Sequence, residues 1–306
     1  MGSTGSISNF RTRLMPAEAI LKHELGGLLA NWLVRLWFVG AILLTLLILA
    51  SNWGKLQSAP LIQSFLFPFL VFPWFLVVSL LGISPVTGSR LDSLSDGILS
   101  RPITRHEYLL AAWAARVLVV LAVCLTVVVP ALLLAVFAKR NVAEDHLTLY
   151  GVLATLAVVS LVQISLVTLG FLVGTLLRRP LLAAAVLVFT WLPINLVLST
   201  FSLEEFSPFT LQQAVPTLLR TSWVTDEQQT DLPLSQEDAE ALAAQADQFV
   251  RLLSGQSPTP AQPQRGGLFQ NMVFDDLSVP RVLLGYGVPT LLALGLALLV
   301  FNRRDL

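Results

Sequence analysis

The chain has 306 residues, of which 55% are hydrophobic and 12% charged, with a mean hydropathy of +0.75. Soluble domains carry about 25% charged residues, so soluble domains of this composition would expose large apolar patches, and the bilayer is the implied solvent. The 19 basic and 19 acidic residues cancel, which removes any argument from bulk charge for a nucleic-acid partner, and the single cysteine, Cys124, excludes a disulfide within the chain.

The first 35 residues are polar and mixed. They lack a short apolar core followed by a small-residue cleavage site, so the first membrane span is expected to do the targeting itself. Within residues 17–35, Leu21, Leu25, Leu28, Leu29 and Trp32 share one helical face with Leu36 just beyond, while Glu18, Lys22, Glu24, Asn31 and Arg35 fall largely elsewhere. This pattern predicts an interfacial helix along the membrane or a surface helix packed on the bundle.

Six stretches are apolar enough to span a bilayer, at about 36–51, 61–82, 112–137, 148–177, 181–201 and 282–301. The second contains Pro68 and Pro73. The loop of residues 83–111 between the second and third spans is far longer than the 2 to 8 residues that join neighbouring helices in bundles. In it Pro102 separates a helical piece at 89–100 from a second one, for which Thr104 is the expected N-cap and Glu107 its reciprocal partner. Arg90, Asp92, Asp96, Arg101, Arg105 and Glu107 balance to zero, a composition better suited to protein docking than to lipid attraction. Between spans four and five, Arg178-Arg179-Pro180 forces a turn.

Polar residues inside the spans are few. Gln163 with Ser160, Ser165 and Thr168 in the fourth, and Thr190, Pro193, Asn195 and Ser199 in the fifth, are able to line a translocation path or to satisfy one another between helices. Gly170 and Gly174 form a Gly-x-x-x-Gly pair suited to close helix packing, and Cys124 reads as an apolar packing residue.

Residues 203–280 hold eleven acidic residues against three basic ones, Arg220, Arg251 and Arg265. Ser235 and Asp238 open a helical pattern that Gly255 ends, and residues 254–267 read as a Pro-, Gly- and Gln-rich linker. With the N-terminus placed in the cytoplasm, the short inside segments carry 11 basic residues and the short outside loops carry 3, Lys55, Lys139 and Arg140. The basic bias therefore predicts that both termini are cytoplasmic, in the inner membrane, with the acidic segment outside.

The expected fold is all-α: a polytopic membrane protein with six transmembrane helices, an N-terminal amphipathic interfacial helix and an external helical cap between helices five and six. Its parts are a cytoplasmic N-terminus (1–35), helices one to five with the cytoplasmic loop 83–111 (36–202), an extracytoplasmic acidic insert and linker (203–280), and helix six with a short tail (281–306).

Leu99-Ser100-Arg101-Pro102-Ile103-Thr104-Arg105, followed by Glu107-Tyr108-Leu109-Leu110, resembles the signature of membrane subunits of type 2 ATP-binding-cassette exporters, and Asp92 and Asp96 match its acidic positions in kind. The ending Phe301-Asn302-Arg303-Arg304-Asp305-Leu306 is similar to the aromatic and Arg-Arg-Asp close of many members. One departure is Ala111-Ala112 where many relatives have Gly-Lys; Arg116, about one turn later, is expected to supply that charge by snorkelling to the headgroups. The resemblance implies an exporter permease with no engine of its own, a separate ATPase subunit carrying the ATP, and a second permease copy or paralogue. It places the ATPase-docking contacts at Asp92, Asp96, Arg101, Pro102, Arg105 and Glu107.

No Gly-x-x-x-x-Gly-Lys-Ser/Thr phosphate loop occurs in the chain, in keeping with an ATPase on a separate subunit. No catalytic, cofactor or metal residues are expected: His23-Glu24 and His106-Glu107 are followed three residues on by Gly27 and Leu110, not by a second histidine. A secondary transporter would need ionisable groups near mid-membrane. A non-transporting membrane anchor for a partner complex would share both the topology and the docking loop.

Overall fold

The computed structural model describes residues 18–70, 74–84, 104–140, 142, 145, 147–177, 179–200, 206–221 and 279–303. The chain divides into two units, Met1–Thr221 with Phe274–Leu306, and Ser222–Val273; every described residue belongs to the first. The helical pieces expected at 89–100 and 235–253, and the linker at 254–267, lie outside the described residues.

All regular structure among the described residues is helical: α1 (residues 18–30), α2 (Trp32–Asn52), α3 (Ser58–Leu70), α4 (Trp74–Ile83), α5 (Arg105–Phe137), α6 (Leu149–Leu176), α7 (Pro180–Thr200), α8 (Pro208–Arg220) and α9 (Val279–Arg303). Five segments are long and apolar enough to cross a membrane: α2, the pair α3 and α4 taken as Ser58–Ile83, His106–Phe137 within α5, α6 and α9. A shorter apolar stretch, Pro180–Asn195, occupies most of α7. The chain is thus an all-α polytopic membrane protein.

The helix ends follow local chemistry. Thr104 caps α5 with a reciprocal capping box, as its spacing from Glu107 predicts: the Glu107 amide donates to Thr104 Oγ1 at 3.3 Å, and the Thr104 amide donates to Glu107 Oε2 at 3.1 Å. At 33 residues α5 is about 50 Å long, well beyond the ~30 Å hydrocarbon thickness, so it projects from the bilayer. Thr148 caps α6 by accepting from the Gly151 amide at 2.9 Å.

Residues 17–35 are not one helix. Asn31 breaks the segment, because its side chain accepts from the Leu33 amide at 3.0 Å and so acts as the N-cap of α2. Arg35 then donates from Nε to the Leu29 carbonyl at 3.1 Å, serving the exposed C-terminal end of α1. The apolar face divides at this break. Leu28 is buried and Leu21 and Leu25 pack against the core, whereas Leu29, Trp32 and Leu36 are exposed.

The centre of the unit is the α3–α4 segment, 64% buried over its apolar window, while α2 and α9 are 28% buried and lie at the periphery. α4 and α6 meet backbone to backbone. A Cβ on Gly170 would collide with the Ser79 carbonyl, one on Gly174 would lie 2.9 Å from the Ile83 oxygen, and one on Gly82 would strike the Val167 carbonyl. Gly170 and Gly174 thus form the close packing site their spacing predicts. Trp191 of α7 stacks on Phe75 of α4 at 4.1 Å and tilts against Phe209 of α8 at 5.5 Å.

α8 belongs to the helical bundle. Pro208, Leu211, Ala214, Val215, Leu218 and Leu219 are buried, and the helix packs on α3 and α6. Gly151 lies so close to the Leu218 and Leu219 carbonyls that a Cβ there could not be accommodated. The segment 203–280 therefore divides within itself, the part through Thr221 joining the spans.

Candidate functional site

The long loop between the second and third spans is the candidate site, and the structure defines its two ends. At its entry, α4 closes at Ile83 against Gly174 of α6. At its exit, the capping box starts α5, and Trp113 donates from Nε1 to Thr168 Oγ1 of α6 at 3.0 Å. Both ends are anchored on α6, which gives the loop a firm base.

Of the residues singled out for docking, Arg105 opens α5 and Glu107 serves the cap. Asp92, Asp96, Arg101 and Pro102 lie outside the described residues.

The end of α9 packs beside the start of α5. Leu109 and Phe301 are both buried in one cluster with Phe171 and Ala297, and the Asn302 side-chain amide lies 2.8 Å from the ring Nε2 of His106. Two segments that are 196 residues apart in sequence, and that carry the two recognisable motifs, thus form one structure at one end of the bundle. A single sequence offers no signal for that pairing.

Arg116 does not extend outward from the bundle as snorkelling requires. It is fully buried, and its guanidinium donates from Nε to the Leu81 carbonyl at 3.1 Å, from Nη1 to Ala112 at 2.5 Å and from Nη2 to Glu24 Oε2 at 3.2 Å. Glu24, placed by periodicity on the polar side of the first helix, faces inward to meet it, with its side chain 12% exposed. The physical reason is that carbonyls and a carboxylate are available inside the bundle and satisfy the cation without a route to water. One clue was present in the sequence: Pro85 stands four residues after Leu81, so the Leu81 carbonyl has no amide partner at that position and invites a side-chain donor.

The three polar residues considered for a path have separate surroundings. Gln163 is fully buried and donates from Nε2 to the Phe69 carbonyl of α3. Asn195 is buried, donating to the Trp191 carbonyl at 2.8 Å and accepting from the Ser207 hydroxyl at 3.2 Å. Thr190 is exposed on the surface of α7.

The opposite end of the bundle is tied by ions. Asp145 Oδ2 accepts from the Ala59 amide at 2.8 Å, capping α3 from a distance, and Asp145 Oδ1 pairs with Arg220 Nε of α8 at 2.9 Å. Arg140 donates to the Leu56 carbonyl at 3.1 Å and to the Ser58 hydroxyl, and lies over the Trp53 ring at 5.5 Å.

No match emerges among curated proteins. The profile of the family described as ABC-2 family transporter protein matches residues 95–306, a range that starts in the candidate loop and contains both motif segments. With that match over most of an all-helical, membrane-spanning chain, the protein belongs to the ABC-2 transporter family, as a membrane permease subunit of an ATP-binding-cassette transporter.

Proposed function

We propose that the chain is the permease of an exporter driven by a separate ATPase subunit, which docks on the loop 83–111 from the cytoplasm. The observation that carries this reading is the junction of the two motif segments, Leu109 against Phe301 and His106 against Asn302, at the exit of an unusually long loop. A loop that receives force needs a firm footing, and both of its ends are held on α6. Asp92, Asp96, Arg101 and Arg105 supply charge contacts, Pro102 sets the bend and Glu107 fixes the helix start.

The functional unit in this reading has two permeases, this chain with a second copy or a paralogue, and six spans per permease, with α7 as the fifth. It sits in the inner membrane with both termini cytoplasmic. ATP is bound and hydrolysed on the partner subunit.

Co-purification tests the docking. An ATP-binding-cassette subunit encoded beside the permease should be retained by the intact chain and lost, by about tenfold in affinity or more, when Asp96, Arg101 and Arg105 are all replaced by Ala. Equal retention of the triple variant would reject the loop as the docking site. ATP-dependent substrate movement into or out of vesicles decides the direction, and ATP turnover without flux would favour a membrane anchor.

A further inference from the structure

Among the described residues, Arg116 is the charged side chain that is fully buried. A guanidinium stays protonated at any ordinary pH, so it must be neutralised where it stands. Among its partners are groups in three places. Glu24 belongs to α1, Leu81 to the last turn of α4, and Ala112 to the first turns of α5. α4 leads into the candidate loop and α5 leads out of it, so one cation joins both ends of the loop to the amphipathic N-terminal helix.

Each contact has its own chemical reason. The Leu81 carbonyl lies at the negative end of α4, where a cation is favoured, and with Pro85 four residues on it accepts from Arg116 Nε and from the Ser84 hydroxyl, both at 3.1 Å. The Ala112 carbonyl is one turn back on the helix that carries Arg116. The Glu24 carboxylate supplies the countercharge. A buried ion pair of this kind is a poor source of net stability, since apolar residues of similar volume often serve as well. What it provides is a fixed geometry, because a planar fork satisfied on three sides has little freedom.

We propose that Arg116 is a positioning residue that makes α1, the end of α4 and the start of α5 a single rigid body, so that a push on the loop carries the amphipathic helix with it. This rests on the reading that an ATPase docks on the loop. The family match starts at residue 95 and so does not extend to Glu24. Leu29 and Trp32, exposed at the junction of α1 and α2, would then move against the lipid headgroups in step with the loop.

The test uses the full chain with Cys124→Ala and spin labels on cysteines at Gly27 in α1, where a Cβ meets nothing within 4 Å, and at Leu110 in α5, which is 39% exposed. Distances are measured in lipid vesicles for the permease alone and for the complex with its ATPase, with and without ATP and vanadate. The unmodified pair should give one narrow distance that nucleotide leaves unchanged. Glu24→Gln, which keeps an acceptor but removes the charge, should broaden that distance about twofold in the permease alone. In the complex it should also make the distance nucleotide-dependent, since the loop then moves without α1. Glu24→Asp should restore the narrow distance in part. A narrow, nucleotide-independent distance in Glu24→Gln would overturn the proposal, and so would broadening in the permease alone with no response to nucleotide in the complex. Failure of the ATPase to bind would sink the docking reading instead, while the permease-alone measurement still decides whether the joint exists.

Discussion

The side-chain amide of Gln163 donates to the main-chain carbonyl of Phe69, an oxygen whose usual partner four residues on is Pro73 and so has no N–H to offer. The same solution recurs twice. Gln63 donates to the Gln212 carbonyl at 2.9 Å, where Pro216 removes the amide, and Arg116 donates to the Leu81 carbonyl, where Pro85 does. In each case a side chain of a neighbouring helix donates to a carbonyl that the proline four residues on cannot serve. The pairing fixes which helices must be neighbours.

Replacing Gln163 with Leu leaves the Phe69 carbonyl without that donor in an apolar interior. The expected loss is about 1 to 3 kcal/mol, read from thermal or denaturant unfolding in detergent. In a Pro73→Ala background residue 73 regains an amide, so the cost of Gln163→Leu should fall to a fraction of its value. An unchanged cost in that background would mean that the glutamine acts through packing and not through the bond.

The contact between α4 and α6 predicts a graded glycine series. Gly170→Ala and Gly82→Ala place a methyl group against facing backbone and should destabilise by about 1 to 3 kcal/mol as the helices part. Gly295→Ala, on α9 with nothing within 4 Å, should be neutral or slightly stabilising because alanine favours the helix. The measurement is the same unfolding series. A common cost for all three would contradict the close approach of α4 and α6.

Asp145 and Arg220 should not be equivalent although they are paired. The Asp145 side chain is 5% exposed and caps α3 through Ala59, whereas the Arg220 side chain is 46% exposed. Asp145→Ala should therefore cost about 1 to 2 kcal/mol, mostly from the lost cap, and Arg220→Ala less than about 1 kcal/mol, since an exposed ion pair is worth little. Asp145→Asn keeps an acceptor for Ala59 and should fall between them. Raising the salt concentration should shrink the Arg220→Ala effect and leave most of the Asp145→Ala effect in place.

The architecture is readable in the sequence wherever the signal is one of length or local chemistry. Continuous apolar runs mark the spans, and the Thr104 and Glu107 spacing marks the start of α5. The Gly170 and Gly174 spacing identified a packing face, although not that Ser79, Gly82 and Ile83 lay across from it. What stayed hidden depended on which helices meet. Glu24 fell on the polar side of α1 because periodicity reports only the helix's own faces, and a buried arginine can call a carboxylate inward. Asn31 is a favoured capping residue, but the apolar periodicity runs on through it from Leu28 to Leu36, so the break is masked in the pattern. The packing of α8 is hard to read because the acidic composition of residues 203–280 masks a 13-residue stretch whose apolar face is buried in the bundle.

Orientation is open to a direct chemical test, because the protein has one cysteine and it is buried. Cys124 lies within α5 at 1% exposure, so it should react poorly with an aqueous maleimide, and Cys124→Ala removes even that background. The basic residues of the short segments, 11 on the assigned inside against 3 on the assigned outside, predict that cysteines at Ser95 and Ser235 fall on opposite sides of the membrane. In intact cells, Ser235→Cys should be labelled by a reagent that cannot cross the membrane, and Ser95→Cys should be labelled only after the membrane is permeabilised. The reverse order would put the loop 83–111 outside. No cytoplasmic ATPase could then reach it, so that one pattern of labelling would remove the docking proposal together with the topology.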